Sequence, residues 1–226
     1  MIEEKAKEQR AELVKADWTQ AENVRYGIKE QSFSYGGLED LKIHLAGSYQ
    51  IPNAVTAVEA AAALQKLGYD IREEHLRAGL AKTRWRGRFS VLCEKPLFIM
   101  DGAHNRDGAQ MLKASIEQYF DGKRIIAICG MFRDKEYEEV LVLIAPYLSK
   151  LIAIETPGNP RALPKEELAQ TAKRYLTDVE CAETVADAVQ TAFTQTNEED
   201  VIVAFGSLSF LGELTKAVEL IRGNKI

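Results

Sequence analysis

Long apolar runs are missing from this 226-residue chain, and with them any segment able to cross a bilayer as a helix. The opening Met1-Ile2-Glu3-Glu4-Lys5 is charged and lacks the apolar core of a secretory signal. An excess of basic charge is also absent. Lys and Arg number 29 against 34 Asp and Glu, a formal net charge of −5, which argues against a nucleic-acid partner. Cysteine is scarce: Cys93, Cys129 and Cys181 are scattered, with no CxxC pair. No disulfide framework or thiolate metal site is therefore expected, and the set fits a reducing, cytoplasmic compartment. The three histidines are equally dispersed, so no metal site is expected in this chain. Neither G-x-x-x-x-G-K-[ST] nor G-x-G-x-x-G occurs. The first absence removes a phosphate loop of that type, and the second disfavours a nicotinamide or flavin dehydrogenase.

What is present, including 46% hydrophobic residues, suffices for one large domain or for one domain plus part of another. Residues 1–80 read as a charged helix to about Lys15, short strands across Arg25–Leu45, and helices over Pro52–Leu67 and Glu73–Lys82. Gly68 stands where the first of those two helices should be capped. This half has too few strand signals to close a sheet of its own. The chain is therefore expected to be the C-terminal portion of a longer protein.

From Leu97 onward strand and helix alternate. Apolar runs fall at Leu97–Met100, Arg124–Cys129, Leu151–Ile154 and Val201–Phe205, with a weaker one at Asp178–Glu180. Amphipathic segments lie near Asp107–Tyr119, Tyr137–Leu148, Pro164–Tyr175, Val185–Thr194 and Leu208–Arg222. Two-sided apolar strands alternating with helices predict a mostly parallel sheet covered on both faces. The connection Lys82–Gly87 is the expected boundary between the halves.

The most informative stretch is Pro96–Asn105, where a short apolar strand runs into Asp101-Gly102-Ala103-His104-Asn105 and then a helix. Polar groups in the turn after a buried strand sit at the carboxyl edge of the sheet, where α/β proteins bind ligands. Gly102 permits close approach, the helix start attracts an anion, Asp101 can accept from ribose hydroxyls, and His104 can donate to a phosphate or carboxylate. The ordinary alternative is a turn in which an Asp or Asn caps the helix. In Thr83-Arg84-Trp85-Arg86-Gly87-Arg88 three arginines crowd an aromatic, and an arginine there can reach a transferring phosphoryl group. A solvated basic turn would have the same composition. Gln50 and Asn53 can offer amides to an adenine edge, or Ser48 or Asn53 can cap the helix. Ser207, after the last strong strand, suits a cap or a ligand contact. The turn holding Gly130, Asp134 and Lys135 and the loop Thr156–Pro164 with Arg161 lie at the same edge.

These residues resemble the C-terminal portion of the folylpolyglutamate/dihydrofolate synthase branch of the Mur ligase family. The resemblance rests on Gly47, Gln50, Asn53 and Ala54, on Trp85-x-Gly87-Arg88, and on Pro96-Leu97 followed by Asp101-Gly102-Ala103-His104-Asn105. Gly130, Asp134-Lys135, Pro160-Arg161-Ala162-Leu163-Pro164 and Gly206-Ser207-Leu208 follow in order. It implies an α/β, Rossmann-like glutamate ligase domain over residues 83–226, preceded in residues 1–82 by the tail of a P-loop ATPase domain. The implied activity is ATP-dependent ligation of L-glutamate to folate or dihydropteroate through an acyl phosphate. The implied ligase is a monomer with Mg²⁺ held by the missing part, and it has neither a membrane nor a nucleic acid as partner. Carried over by position, Asn53 contacts adenine, Arg88 the phosphates, Asp101 the ribose, His104 the reaction centre or glutamate, and Ser207 the glutamate. Arg88 and His104 are then the catalytic pair. Tyr49 stands where many members have histidine, so no role passes to it. Because the phosphate loop is missing, the chain alone is expected to be inactive. A stand-alone nucleotide-binding module without catalysis is the alternative.

Overall fold

Antiparallel pairing organises the first part of the chain. The computed structural model describes residues 1–223 and divides into two units, Met1–Arg84 and a second from Trp85 onward. The first unit opens with helix α1 (Ile2–Glu8), which buries no residue. A helix this short, with no packed face, has little to extend it, and it stops well before the Lys15 expected from composition. Strands β1 (Glu22–Arg25), β2 (Gln31–Tyr35) and β3 (Leu38–Ile43) form an antiparallel meander with β2 in the centre. Helices α2 (Gln50–Lys66) and α3 (Glu73–Lys82) complete the unit. Ile51, Val55, Val58 and Leu80 join Phe33, Leu41 and Ile43 in one core. The expectation that this half lacks a sheet of its own is therefore corrected: three short strands suffice when two helices share their core. Gly68 ends α2 as read, with its N–H on the Gln65 carbonyl at 2.9 Å and the Tyr69 N–H on that of Leu64 at 3.2 Å.

The second unit contains β4 (Ser90–Glu94), β5 (Leu97–Met100), α4 (Arg106–Tyr119), β6 (Ile125–Cys129) and α5 (Tyr137–Ile144). It continues with β7 (Lys150–Ala153), α6 (Lys165–Ala172), β8 (Val179–Cys181), α7 (Val185–Gln195), β9 (Val201–Phe205) and α8 (Leu211–Gly223). The sheet order is β4-β5-β9-β6-β7-β8, all parallel except β4. β4 was not legible as a strand. It is an edge strand with an irregular register, and Cys93 alone is fully buried along it, so it carries no apolar run.

The inner strands β6, β7 and β9 are buried at every residue, as a sheet covered on both faces requires. Phe98, Met100, Ile126, Ile128, Ile152, Ile202 and Ala204 face α7 and α8, meeting Val185, Val189, Phe193, Phe210, Leu214 and Val218. Alternate residues, among them Ile99, Ala127, Cys129, Leu151 and Val203, point to the other side, where α4, α5 and α6 lie in series. Cys129 sits wholly inside, and burial pushes its thiol well above the usual cysteine range, so it packs as a small hydrophobe. Among the described residues no helix is long and apolar enough to cross a membrane.

One charged group enters the sheet. Lys150 begins β7 almost buried, its Nζ 3.1 Å from both Asp178 and Glu180. Burial pulls its pKa down, but the hydrogen bonds to Asp178 and Glu180 outweigh this and leave it above the ordinary 10.5. A folded pKa raised in this way contributes stability that is complete below pH 10.5 and is lost as pH rises through the folded value. Lys150→Met is expected to destabilise by about 1–3 kcal/mol, the carboxylates being partly exposed. Urea unfolding at pH 7 and pH 11 checks this: the gap between parent and variant should shrink at the higher pH.

Candidate active site

The path of the chain marks one edge of the sheet as the candidate site. β5 leads into α4 on one face of the sheet, whereas its neighbour β9 leads into α8 on the other. Adjacent strands whose helices depart to opposite faces part at their carboxyl ends, where ligands of open α/β sheets bind. The turns after β5 and β9 therefore stand side by side at that edge, with the turn after β6 beside them.

The turn after β5 is built around Asp101. Its N–H donates to the Ala204 carbonyl at 2.9 Å, extending the β5–β9 pairing by one residue. Its carboxylate accepts from the Phe89 N–H at 2.9 Å and the Ala103 N–H at 2.8 Å, and the residue is only 5% exposed. Asp101, expected to hold a ribose, is here buried with its carboxylate engaged by the backbone it orders. Phe89 is the residue it holds most tellingly. Phe89 has φ +47°, a left-handed conformation costing a non-glycine residue about 1–2 kcal/mol. Burial of its ring repays roughly 1.5–3 kcal/mol, with further stacking on Phe120 at 5.8 Å.

The segment before Phe89 is tied to the same turn. The Gly102 N–H donates to the Gly87 carbonyl at 2.9 Å. Ser90 Oγ accepts from the Gly87 N–H at 3.0 Å and donates to the Trp85 carbonyl at 3.1 Å. Leu208, just beyond Ser207, fills the space that side chains at both glycines would need. A Cβ on Gly87 or on Gly102 would stand 2.6 Å from Leu208 Cδ2. Three segments far apart in sequence, Gly87-Arg88, Asp101–His104 and Ser207-Leu208, therefore meet at one leucine.

Arg88 is exposed, and its guanidinium makes no hydrogen bond or ion pair among the described residues. It is free to take an anion. The start of α4 is not. Asn105 Oδ1 accepts from the Gly108 N–H at 2.8 Å, and Glu136 Oε2 accepts from the Arg106 N–H at 3.1 Å. The expected anion site at this helix end is already filled by the chain's own side chains.

His104 is half-buried, with Nδ1 2.8 Å from the Gly102 carbonyl oxygen. A carbonyl only accepts, so Nδ1 donates in this contact and Nε2 is the ring nitrogen left without a partner among the described residues. Ser207 caps the short 3₁₀ turn Leu208–Phe210, its Oγ accepting from the Ser209 N–H at 3.1 Å.

The neighbouring loops form a clasp. The Arg133 N–H donates to the Arg161 carbonyl at 2.8 Å and the Leu163 N–H to the Met131 carbonyl at 3.0 Å. Arg161 grips Asp134 with two nitrogens and lies over the Phe132 ring at 4.9 Å. These hydrogen bonds hold the Asp134 carboxyl below the usual carboxylate range.

Asn53 belongs to the first unit. It lies in the first turn of α2, exposed, with Nδ2 donating to Oε1 of the buried Gln50 at 3.2 Å. It is not the helix cap, a position held by Tyr49. Sequence reasoning missed Phe89 and Glu136, and it named Leu208 without its role as a wedge between the two glycines. An apolar residue directly after the basic run was the one available signal for Phe89.

A family model described as Mur ligase, glutamate ligase domain, matches residues 87–208. The chain belongs to this family. It is 33% identical over 140 residues to a folylpolyglutamate synthase of Lacticaseibacillus casei, covering 60% of this chain and 32% of that one. It is 27% identical over 182 residues to a dihydrofolate synthase/folylpolyglutamate synthase of Bacillus subtilis, covering 80% and 42%. Among solved structures, E. coli FolC in complex with DHPP and ADP matches with a TM-score of 0.75 and 26% identity, covering 100% of this chain and 51% of that one. The chain thus spans about half or less of the length of these relatives.

The wedge at Leu208 is testable. Gly102→Ala is expected to cost about 1–3 kcal/mol as the leucine is displaced. Leu208→Ala in the same chain should return part of that loss, a coupling that a double-mutant cycle in urea measures directly. Strictly additive losses would show that the two positions do not press on each other.

Proposed function

We propose that this chain is the glutamate ligase portion of an ATP-dependent amide ligase that adds L-glutamate to folate, and in a bifunctional form to dihydropteroate. The observation that carries the reading is the meeting of Gly87-Arg88, Asp101–His104 and Ser207-Leu208 around Leu208 at the carboxyl edge of the sheet, in a chain whose residues 87–208 match the Mur ligase glutamate ligase domain. In such a reaction the carboxylate takes the γ-phosphoryl group of ATP. The amine of glutamate then attacks the acyl phosphate, and phosphate leaves.

Each residue has a part. The unpaired Arg88 guanidinium binds phosphate oxygens where negative charge gathers. Asp101 sets the direction of Arg88 through the Phe89 N–H. His104 Nε2 accepts from the glutamate amine and takes its proton as attack proceeds. The Ser207 hydroxyl contacts the glutamate, and Asn53, from the first unit, offers its amide to adenine. Mg²⁺ enters with ATP. Among the described residues no cluster of three or more His, Cys, Asp or Glu side chains could hold a metal, so its ligands are assigned to the phosphate-loop portion of such an enzyme. In this reading residues 1–82 are the tail of that ATPase domain. The enzyme works as a cytoplasmic monomer without a nucleic-acid or membrane partner.

The test is ATP-dependent incorporation of labelled glutamate into tetrahydrofolate. The chain would be joined to the portion of the Bacillus subtilis relative that the match leaves uncovered, with the chain alone as control. Incorporation is expected in the joined protein and not in the control. Arg88→Ala in the joined protein should lower kcat about 10²–10³-fold without moving the urea midpoint. Unchanged turnover would remove Arg88 from the chemistry. ATP binding without incorporation in either protein would favour the non-catalytic module.

A further inference from the structure

The turn that carries Arg88 is held more firmly than its exposed side chains require. The Trp85 carbonyl, the Gly87 N–H and carbonyl, and the Phe89 N–H are each hydrogen-bonded to Ser90, Gly102 or Asp101. The side chains projecting from this fixed backbone are left unpartnered. Trp85 is 64% exposed and stacks on no ring among the described residues, and Arg86 and Arg88 are exposed and unpaired. Arg84 differs, because its Nη1 donates to the Ala81 and Thr83 carbonyls at 2.7 and 2.9 Å and closes the end of α3. An indole left in water forfeits the burial of a large apolar surface, and a merely solvated basic turn gains nothing from it. An indole face interleaved with free guanidinium groups on a rigid turn has the chemistry that recognises a flat ring attached to an anion.

We infer that Trp85 is a stacking platform for the fused nitrogen heterocycle of an anionic ligand, with Arg86 and Arg88 meeting its negative charge. This rests on the ligand site proposed above and adds a ring contact within the second unit. A purine nucleotide and a pterin bearing a carboxylate tail share the chemistry. Both are flat, both carry a fused nitrogen heterocycle, and both end in negative charge.

The two sources separate in a titration. Trp18→Phe leaves Trp85 as the only tryptophan, since the sequence has two, and Trp18 is itself 53% exposed. That chain is titrated with ATP, with dihydropteroate and with tripolyphosphate, following indole emission and, by calorimetry, affinity. A ring-bearing ligand is expected to quench saturably, and tripolyphosphate to bind without quenching. Trp85→Ala should weaken the quenching ligand about tenfold and leave tripolyphosphate within about twofold, while Trp85→Phe recovers most of the loss. Arg88→Ala should weaken tripolyphosphate and the ring ligand alike. Quenching by ATP identifies the purine as the ring, and quenching by dihydropteroate the pterin. A ring ligand held equally well by Trp85→Ala overturns the stacking while leaving the anion site standing. Failure of all three ligands to bind overturns both.

Discussion

Two backbone N–H groups converge on one buried carboxylate, and the rest of the second unit's ligand edge follows from that. By accepting from Phe89 and Ala103 at once, Asp101 ties the segment entering the domain to the turn leaving β5. Neither piece has regular structure to fix it. A hydrogen bond to a charged acceptor in a buried setting is worth more than one at the surface, and leaving such N–H groups unmet would cost more still. The left-handed backbone of Phe89 persists because its N–H is taken and its ring is packed. Arg88 can stand free in solvent and still have a defined origin, because the residues on either side of it are held.

The same economy runs along the sheet edge. Side chains that could have bound a ligand are partly spent on the protein itself: Asn105 and Glu136 on α4, Ser207 on its own turn, Asp134 and Arg161 on each other. Among the described residues, those left free at this edge include Arg86, Arg88, Nε2 of His104 and the face of Trp85. A site with few free groups on a tightly tied frame loses little order on binding, which is how pre-organisation serves affinity and catalysis.

The parallel strands were legible because they are buried on both faces and so read as unbroken apolar runs. β9 shows this best, its Val-Ile-Val-Ala-Phe needing no context. β4 failed for the opposite reason: an edge strand with one fully buried side chain has no pattern to show. The helix at the start was overextended because Glu, Lys and Ala favour helix wherever they stand, and propensity without a packed face is not enough. At the site, the residue types Arg88, Asp101, His104 and Ser207 stood out in sequence, but their division of labour did not. Whether an acid contacts a ligand or a backbone N–H depends on what lies above it in space, and Phe89 is twelve residues away. The role of Leu208 was invisible for the same reason, since it matters through two glycines that lie far off in the chain.

The position of β9 has a consequence for how the domain is made. Among the described residues β9 is the last strand in chain order, yet it lies between β5 and β6, pairing with both. Until it arrives, the emerging polypeptide holds two separate pieces of sheet, each with a bare apolar border facing a gap one strand wide. Such borders are adhesive toward any extended segment nearby. A chain interrupted before β9 would therefore expose both borders at once, and the domain closes only when Val201–Phe205 is in place.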